Sequence, residues 1–199
     1  MTRRYLAIVL AILNGVIVLT LTINPTQPVA ASPVRPDFNA SFVFGSADAL
    51  LLSCMDYRLT DETALFMSHD LGMHDNYDHV ILAGASLGVN NTKYPNWGKT
   101  FWEHLDAAIA LHGVHEVVIL DHRNCGAYKL FLNKEFKADA KTEELTQETT
   151  AHKEQLDALA KTIHEKYPTM DVLTLLMSLN GHVDHIGEIK GQAKPGEKH

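Results

Sequence analysis

Four short, largely apolar runs, separated by segments with helical patterns, restrict the fold of this chain more than any other feature. The runs span 49–53, 79–83, 116–120 and 172–179. Runs of this length are typical of strands that are buried on both faces of a parallel sheet. Apolar spacing and end signals predict helices over 61–72, 97–112, 126–132 and 150–166. The alternation predicts an α/β fold with a central, mostly parallel four-stranded sheet and helices on both faces.

The chain is long enough for one folded domain between a distinct N-terminal segment and a polar tail. Its 199 residues, 46% of them hydrophobic, have the composition of a globular protein. We expect a linker or arm over 32–47, the folded domain over 48–190 and a polar tail over 191–199. Two cysteines are too few for a disulfide scaffold. The formal net charge of −7 argues against nucleic acid as a partner.

Residues 1–31 have the pattern of an export signal or of a membrane-anchor helix. Arg3 and Arg4 precede an apolar stretch over 6–23, and small residues follow over 29–31. This order is typical of a signal peptide, and the stretch is also just long enough to span a membrane as a retained anchor. The arginine pair partly matches the twin-arginine signal as well. Because the arginines stay inside, we expect an exported domain that is periplasmic, secreted or membrane-anchored and facing outside the cytoplasm.

Three potential metal ligands follow two of the predicted strands. Cys54 ends the first strand, and His122 and Cys125 follow the third. The carboxyl ends of parallel strands meet at one edge of the sheet, so these side chains converge if the two strands are neighbours. Two thiolates and one imidazole suit one tetrahedral zinc ion per chain and leave its fourth position to water. A disulfide between the two cysteines, or two buried free thiols, are the alternatives.

The residues around these ligands form two motifs that resemble the signatures of an enzyme family. Cys-Met-Asp-Tyr-Arg over 54–58 is similar to the Cys-x-Asp-x-Arg motif of the β-class carbonic anhydrases, and His-Arg-Asn-Cys-Gly over 122–126 is similar to their His-x-x-Cys-Gly motif. The chain therefore looks like a divergent member of that family, over about 47–187. Family members usually carry a basic residue and Asn-Ala-Gly after the second strand, where this chain has Leu-Ala-Gly-Ala-Ser over 82–86.

The resemblance implies a function and a role for each motif residue. It implies that Cys54, His122 and Cys125 bind zinc, and that Asp56 and Arg58 form the catalytic pair beside it. It also implies reversible hydration of carbon dioxide to bicarbonate by a zinc-bound hydroxide, in a homodimer or larger assembly whose pockets form across a subunit interface. A related hydrolase of carbonyl sulfide or carbon disulfide, and a catalytically silent zinc protein of the same fold, are the alternatives.

Two arrangements of the catalytic pair are open at this stage. In one, Asp56 accepts a hydrogen bond from the hydroxide while Arg58 holds the carboxylate in a bidentate pair. In the other, Asp56 takes the fourth zinc position and closes the site until Arg58 draws it away. Elsewhere, His182 and His185 have a metal-like spacing but no third ligand, so we expect them on a solvated loop.

Overall fold

The computed structural model describes residues 7–13, 16–22 and 45–193. The chain divides into two compact units at about residue 43. In the first unit, strands β1 (Ala7–Leu13) and β2 (Val16–Thr22) form an antiparallel pair. The sequence predicts a helix here. Eight of these fourteen residues are Ile, Val or Thr, whose branched side chains favour extended backbone.

The role of this first segment as a signal or anchor stays a prediction, since most of residues 1–44 lies outside the described part of the chain. Among the residues that are described, no helix combines the length and the apolar character needed to cross a membrane.

The second unit contains a mixed five-stranded sheet. Its strands are β3 (Ala49–Ser53), β4 (Tyr77–Ile81), β5 (Glu116–His122), β6 (Asp171–Met177) and β7 (Val183–Ile189). They lie in the order β4-β3-β5-β6-β7, and β3 to β6 are parallel to one another. Strand β7 pairs antiparallel with β6 at the edge, with an irregularity in register between Thr174 and Leu175. The predicted α/β class is therefore present, built on five strands.

The prediction of four strands is wrong because β7 lacks the pattern of a buried strand. Its sequence, Val-Asp-His-Ile-Gly-Glu-Ile, contains a glycine and three polar residues, and none of its residues is fully buried. An edge strand needs neither a continuous apolar run nor two covered faces, so local sequence carries little signal for it. His185 lies in this strand and not on a loop, while His182 stands in the turn before it.

The helices cover both faces of the sheet. They are α1 (Thr60–Leu65), α2 (Ser86–Asn90), α3 (Pro95–His112), α4 (Gly126–Leu132) and α5 (Thr142–Lys166). A 3₁₀ turn over Tyr57–Leu59 precedes α1, and a π-helical turn over Phe66–Asp70 follows it. Helix α3 begins with Pro95, which suits a first helical position, and ends at Gly113 with φ of 72°.

Two parts of the helical layer differ from the prediction. Helix α5 begins at Thr142, eight residues before the predicted start at 150, and its first turns are polar except for Leu145. Glu143 and Glu144 stand in its first turn, where a negative charge interacts favourably with the helix dipole. The short helix α2 follows β4, in a segment for which the sequence predicts no helix.

The side chains of alternate residues in the central strands pack into two apolar clusters on opposite faces of the sheet. One cluster packs the sheet against α3 and α5, and its largest members are Leu50, Leu52, Phe101, Leu105, Ile119, Leu156, Leu159 and Ile163. The other contains Ala49, Leu51, Leu59, Met67, Val118, Leu120, Leu175 and Met177. The two-residue period of a strand produces this division, and it fixes the ends of β3 and β5 rigidly in the middle of the domain.

Candidate metal centre

The carboxyl ends of β3 and β5 form the topological switch point of the sheet. Strand β3 has β4 on one side and β5 on the other, so the chain leaves β3 in one direction and returns on the opposite side. Ligands of open α/β sheets bind in the crevice at such a point. Cys54 directly follows β3, His122 is the last residue of β5, and Cys125 lies just before α4. The structure thus brings together the three predicted ligands.

The three ligand atoms form a tight, largely buried cluster. The Sγ and imidazole nitrogen atoms all lie within 4.8 Å of one another, and the two sulfurs are 3.9 Å apart. Tetrahedral bonds of about 2.3 Å to one zinc ion would place two sulfurs about 3.8 Å apart. A disulfide needs about 2.05 Å between its sulfurs, and both cysteines are free here. The residues present therefore fit a divalent metal.

His122 is oriented as a metal ligand. Its Nδ1 donates a hydrogen bond to the Arg123 carbonyl over 2.8 Å, which leaves a lone pair on Nε2. This Nε2 atom is buried and has no hydrogen-bond partner within the described part of the chain. A buried polar atom without a partner is costly, and a backbone carbonyl on the other ring nitrogen is the usual support of a ligating histidine. Both observations suit a cation at Nε2.

The electrostatics of the two thiols also favour a cation. The hydrogen bond with Cys125 lowers the pKa of the Cys54 thiol well below its usual range, although burial opposes this. The hydrogen bond to Cys54 and burial raise the pKa of Cys125. The Gly84 N–H also donates to Cys54 Sγ over 3.3 Å. These contacts favour the thiolate form of Cys54, which is the form that binds a metal ion.

Asp56 and Arg58 form a bidentate ion pair beside the cluster. Arg58 Nε donates to Asp56 Oδ1 over 2.9 Å, and Nη2 donates to Oδ2 over 2.7 Å. The pairing lowers the pKa of Asp56 to about 2. Asp56 Oδ2 is 3.8 Å from His122 Nε2, so the carboxylate faces the ligands while both of its oxygens remain engaged by Arg58.

Asn124 holds Arg58 from the other side, and sequence analysis did not identify it. Its Oδ1 accepts from Arg58 Nη1 over 2.9 Å and its carbonyl accepts from Nη2 over 3.3 Å. Asn124 has φ of 56°, a left-handed conformation that asparagine tolerates better than most residues. The second variable position of the His-x-x-Cys motif thus holds the arginine of the catalytic pair. In the sequence, the presence of an asparagine at this position was the only signal of that role.

The segment after β4, where the chain departs from the family pattern, packs directly on the cluster. Besides the Gly84 contact, Ser86 donates through N and Oγ to the buried Asp121 carboxylate. His152 and Tyr128 also hydrogen-bond to Asp121. This network fastens α2, α4 and α5 to the end of β5. No part of it was predicted, because its members come from distant segments of the sequence.

A cleft of about 580 Å³ opens in front of the site. Cys54, Asp56, Arg58 and Cys125 line it, together with the apolar groups of Ala83, Ala127, Leu130 and Phe136. His182 and His185 do not belong to the ligand cluster. The arrangement can bind a metal, hold a carboxylate ionised beside it and admit a small molecule from one side.

Fold and site together define a class: an α/β protein with a potential Cys₂His metal site at the switch point and a carboxylate–guanidinium pair beside it. Residues 45–187 match the family described as "Putative carbonic anhydrase". The chain belongs to this family, which confirms the resemblance found in its motifs.

Two proteins of Rickettsia are similar in sequence to this chain. It is 45% identical over 143 residues to an uncharacterized protein of Rickettsia conorii, covering 72% of this chain and 74% of that one. It is 42% identical over 142 residues to an uncharacterized protein of Rickettsia bellii, covering 71% of this chain and 83% of that one.

Solved structures that are similar to this chain, at low identity, include β-carbonic anhydrases from three organisms. One is a tetrameric enzyme of Sordaria macrospora, with 16% identity over 72% of this chain and 82% of that one and a TM-score of 0.43. The second is an enzyme of Aspergillus fumigatus, with 16% identity over 71% of this chain and 76% of that one and a TM-score of 0.45. The third is a Coccomyxa enzyme in complex with acetazolamide, with 13% identity over 74% of this chain and 75% of that one and a TM-score of 0.46.

Proposed function

We propose that this protein catalyses the reversible hydration of carbon dioxide to bicarbonate, using one zinc ion per chain. The observation that carries the proposal is the Cys54–His122–Cys125 cluster with the Asp56–Arg58 pair beside it, next to a cleft that the pair and both cysteines line. Membership of the carbonic anhydrase family supports it. Two sulfurs and one nitrogen are donors that zinc prefers, and three protein ligands leave the fourth position that a catalytic site requires.

When bound, zinc supplies Lewis acidity, which can lower the pKa of water from about 15.7 to about 7. The chain supplies the orientation. Asp56 accepts a hydrogen bond from the attacking water molecule and so turns an oxygen lone pair toward the carbon of the substrate. Arg58 keeps the carboxylate ionised and fixes its plane through two hydrogen bonds.

The pair favours the open arrangement of the site. Both Asp56 oxygens accept from Arg58, and Arg58 is itself held by two oxygens of Asn124. Asp56 does not belong to the ligand cluster, so to become a fourth metal ligand it would have to move against these charge-assisted hydrogen bonds. The apolar side of the cleft, with Ala83, Ala127 and Phe136, suits a small uncharged molecule such as carbon dioxide.

The test is metal analysis of the purified protein combined with stopped-flow assays. We expect about one zinc per chain, rapid hydration of carbon dioxide, loss of activity on chelation and recovery with zinc. Carbonyl sulfide and carbon disulfide should be assayed in parallel, because preferential hydrolysis of either would assign the related hydrolase activity. Zinc-loaded protein without activity on any of the three would be a catalytically silent zinc protein.

We also propose that the chain forms a homodimer through the mouth of the cleft. Tyr57, Met55 and Leu130 are 87%, 69% and 66% exposed there, and a group of large apolar side chains on a surface favours association. Leu130→Arg should reduce the mass measured by light scattering to that of a monomer. Leu111→Arg is the control, since Leu111 is 74% exposed but does not line the cleft. If neither substitution lowers the measured mass, the proposal is contradicted.

Export remains a further proposal, based on sequence. The charged start, apolar stretch and small residues of 1–31 support a signal that directs the domain out of the cytoplasm. Replacing Arg3 and Arg4 with lysine keeps the charge but removes a twin-arginine signal. Blocked export of this variant would indicate that pathway, and normal export would indicate the general secretory route. Recovery of the domain in the cytoplasm would contradict export, and recovery of uncleaved chain in membranes would indicate an anchor.

A further inference from the structure

A buried carboxylate on α5 contacts the loop that carries two of the potential metal ligands. Glu148 is only 1% exposed. Its Oε1 accepts a hydrogen bond from the Asn124 backbone N–H over 2.5 Å, and its Oε2 lies 3.6 Å from Arg123 Nη1. Arg123 and Asn124 are the two residues between His122 and Cys125. From α5, Glu148 therefore contacts both residues that separate the two potential ligands of this loop.

The contact continues from this loop to the catalytic pair. With its N–H bound by Glu148 and its side-chain amide donating to the Phe136 carbonyl, Asn124 is held in its left-handed conformation. In that conformation its Oδ1 and carbonyl oxygen both face Arg58. Arg58 in turn sets the plane of the Asp56 carboxylate. A continuous series of hydrogen bonds thus joins α5 to the carboxylate that faces the ligand cluster.

We infer that Glu148 is a positioning residue for the reaction: acting through Asn124, it fixes the orientation of Arg58 and hence of Asp56. The inference rests on the proposed function, because it assigns Glu148 a part in that reaction. A hydrogen bond to a carboxylate is roughly twice as strong as one to a neutral acceptor. Moreover, a burial this complete is seldom seen for a glutamate.

A second contact of Glu148 offers a competing explanation. Arg123 also donates to Thr149 and pairs with Asp184 of β7, where Nη2 and Oδ2 are 2.8 Å apart. If Glu148 served only to neutralise Arg123, its loss would affect the packing of α5 and β7 without altering Arg58. The experiment must therefore read the state of Arg58 directly.

The test compares Glu148→Gln with the zinc-loaded full chain, using Glu154→Gln as the matched control. Glutamine keeps the size of the side chain and removes the charge, and Glu154 is an exposed glutamate on the same helix. Zinc content, thermal midpoint, kcat and KM are measured for each. Solvent exchange of the Arg58 Nε–H, assigned by comparison with Arg58→Lys, is measured by NMR.

We expect Glu148→Gln to retain its zinc, to lower kcat about tenfold with little change in KM, and to speed Arg58 Nε–H exchange about tenfold. Glu154→Gln should change none of these. An unchanged Nε–H exchange in Glu148→Gln would overturn the inference, as would a loss of kcat that the loss of zinc fully explains. If the wild-type protein proves inactive, the proposed function fails, yet the exchange measurement still tests whether Glu148 orders Arg58.

A double-mutant cycle tests the route through Asn124. Asn124→Gly keeps the left-handed backbone accessible and the N–H available to Glu148, but removes the side-chain acceptor of Arg58. If Glu148 acts through Asn124, the double variant should be little worse in kcat than Asn124→Gly alone. Fully additive losses would show that Glu148 acts by another route and would refute this one.

Discussion

Replacing Gly84 with alanine should damage both the stability of the domain and its metal site. Gly84 has φ of 84°, in the left-handed region, and a Cβ added there would lie 2.7 Å from the Cβ of Ala127. Real Cβ atoms do not approach so closely, so either α4 or the segment after β4 must shift. Because the Gly84 N–H donates to Cys54 Sγ, the shift reaches a potential metal ligand.

The expected cost has two parts. A left-handed alanine costs about 1–2 kcal/mol, and overpacking of a close contact costs about 1–3 kcal/mol. The smaller conformational freedom of the unfolded alanine chain offsets about 0.4–1 kcal/mol. We therefore expect Gly84→Ala to lower the free energy of unfolding by about 2–4 kcal/mol.

Two controls separate these parts in urea unfolding with a chelator present, so that metal affinity does not contribute. Gly72 has φ of 68°, and a Cβ added there would meet no atom within 4 Å, so Gly72→Ala measures the backbone cost alone. Adding Ala127→Gly to Gly84→Ala removes the atom that clashes and should recover part of the loss. If Gly84→Ala costs no more than Gly72→Ala, the close packing of Gly84 against Ala127 is refuted.

Three further results are expected. Asp56→Asn should keep zinc but lower the rate of hydration at least about 100-fold, since a neutral amide cannot orient water as a carboxylate does; the exposed Asp61→Asn is its control in the stopped-flow assay. Cys125→Ser should lose zinc on dialysis, as measured by metal analysis. Because the pKa of Asp56 is lowered to about 2, its ion pair stabilises the fold above about pH 4, and this contribution disappears as the pH falls toward 2. The wild-type advantage over Asp56→Asn in free energy of unfolding, at most about 1 kcal/mol for this partly exposed pair, should vanish over that range.

The central part of the fold was predictable because burial leaves a strong local signal. The predicted first strand, 49–53, and the short helix over 126–132 coincide with the observed β3 and α4. The convergence of Cys54 with His122 and Cys125 followed from one assumption, that the first and third strands are neighbours, and the observed strand order fulfils it. The position of motif residues at strand ends is predictable, because parallel strands place their carboxyl ends at the same edge of the sheet.

The remaining features depend on contacts that local sequence does not encode. Strand β7 is half-exposed, so it has no apolar run to reveal it. Glu148 stands in a polar, charged segment, where a glutamate ordinarily faces solvent, and only the packing of α5 against the motif loop buries it. The role of Asn124 likewise depends on a left-handed backbone that the motif spacing does not reveal.

The separation of Cys54 and Cys125 along the chain has a consequence for folding. The two residues are 71 positions apart, yet their sulfurs meet at the ends of the two neighbouring central strands. A covalent link that closes a loop of this length removes chain entropy worth about 4 kcal/mol from the unfolded state. An ion bound by both sulfurs would act in the same sense, as a clamp on β3 and β5. The rate at which the ion dissociates would then set how long the domain resists unfolding and proteolysis.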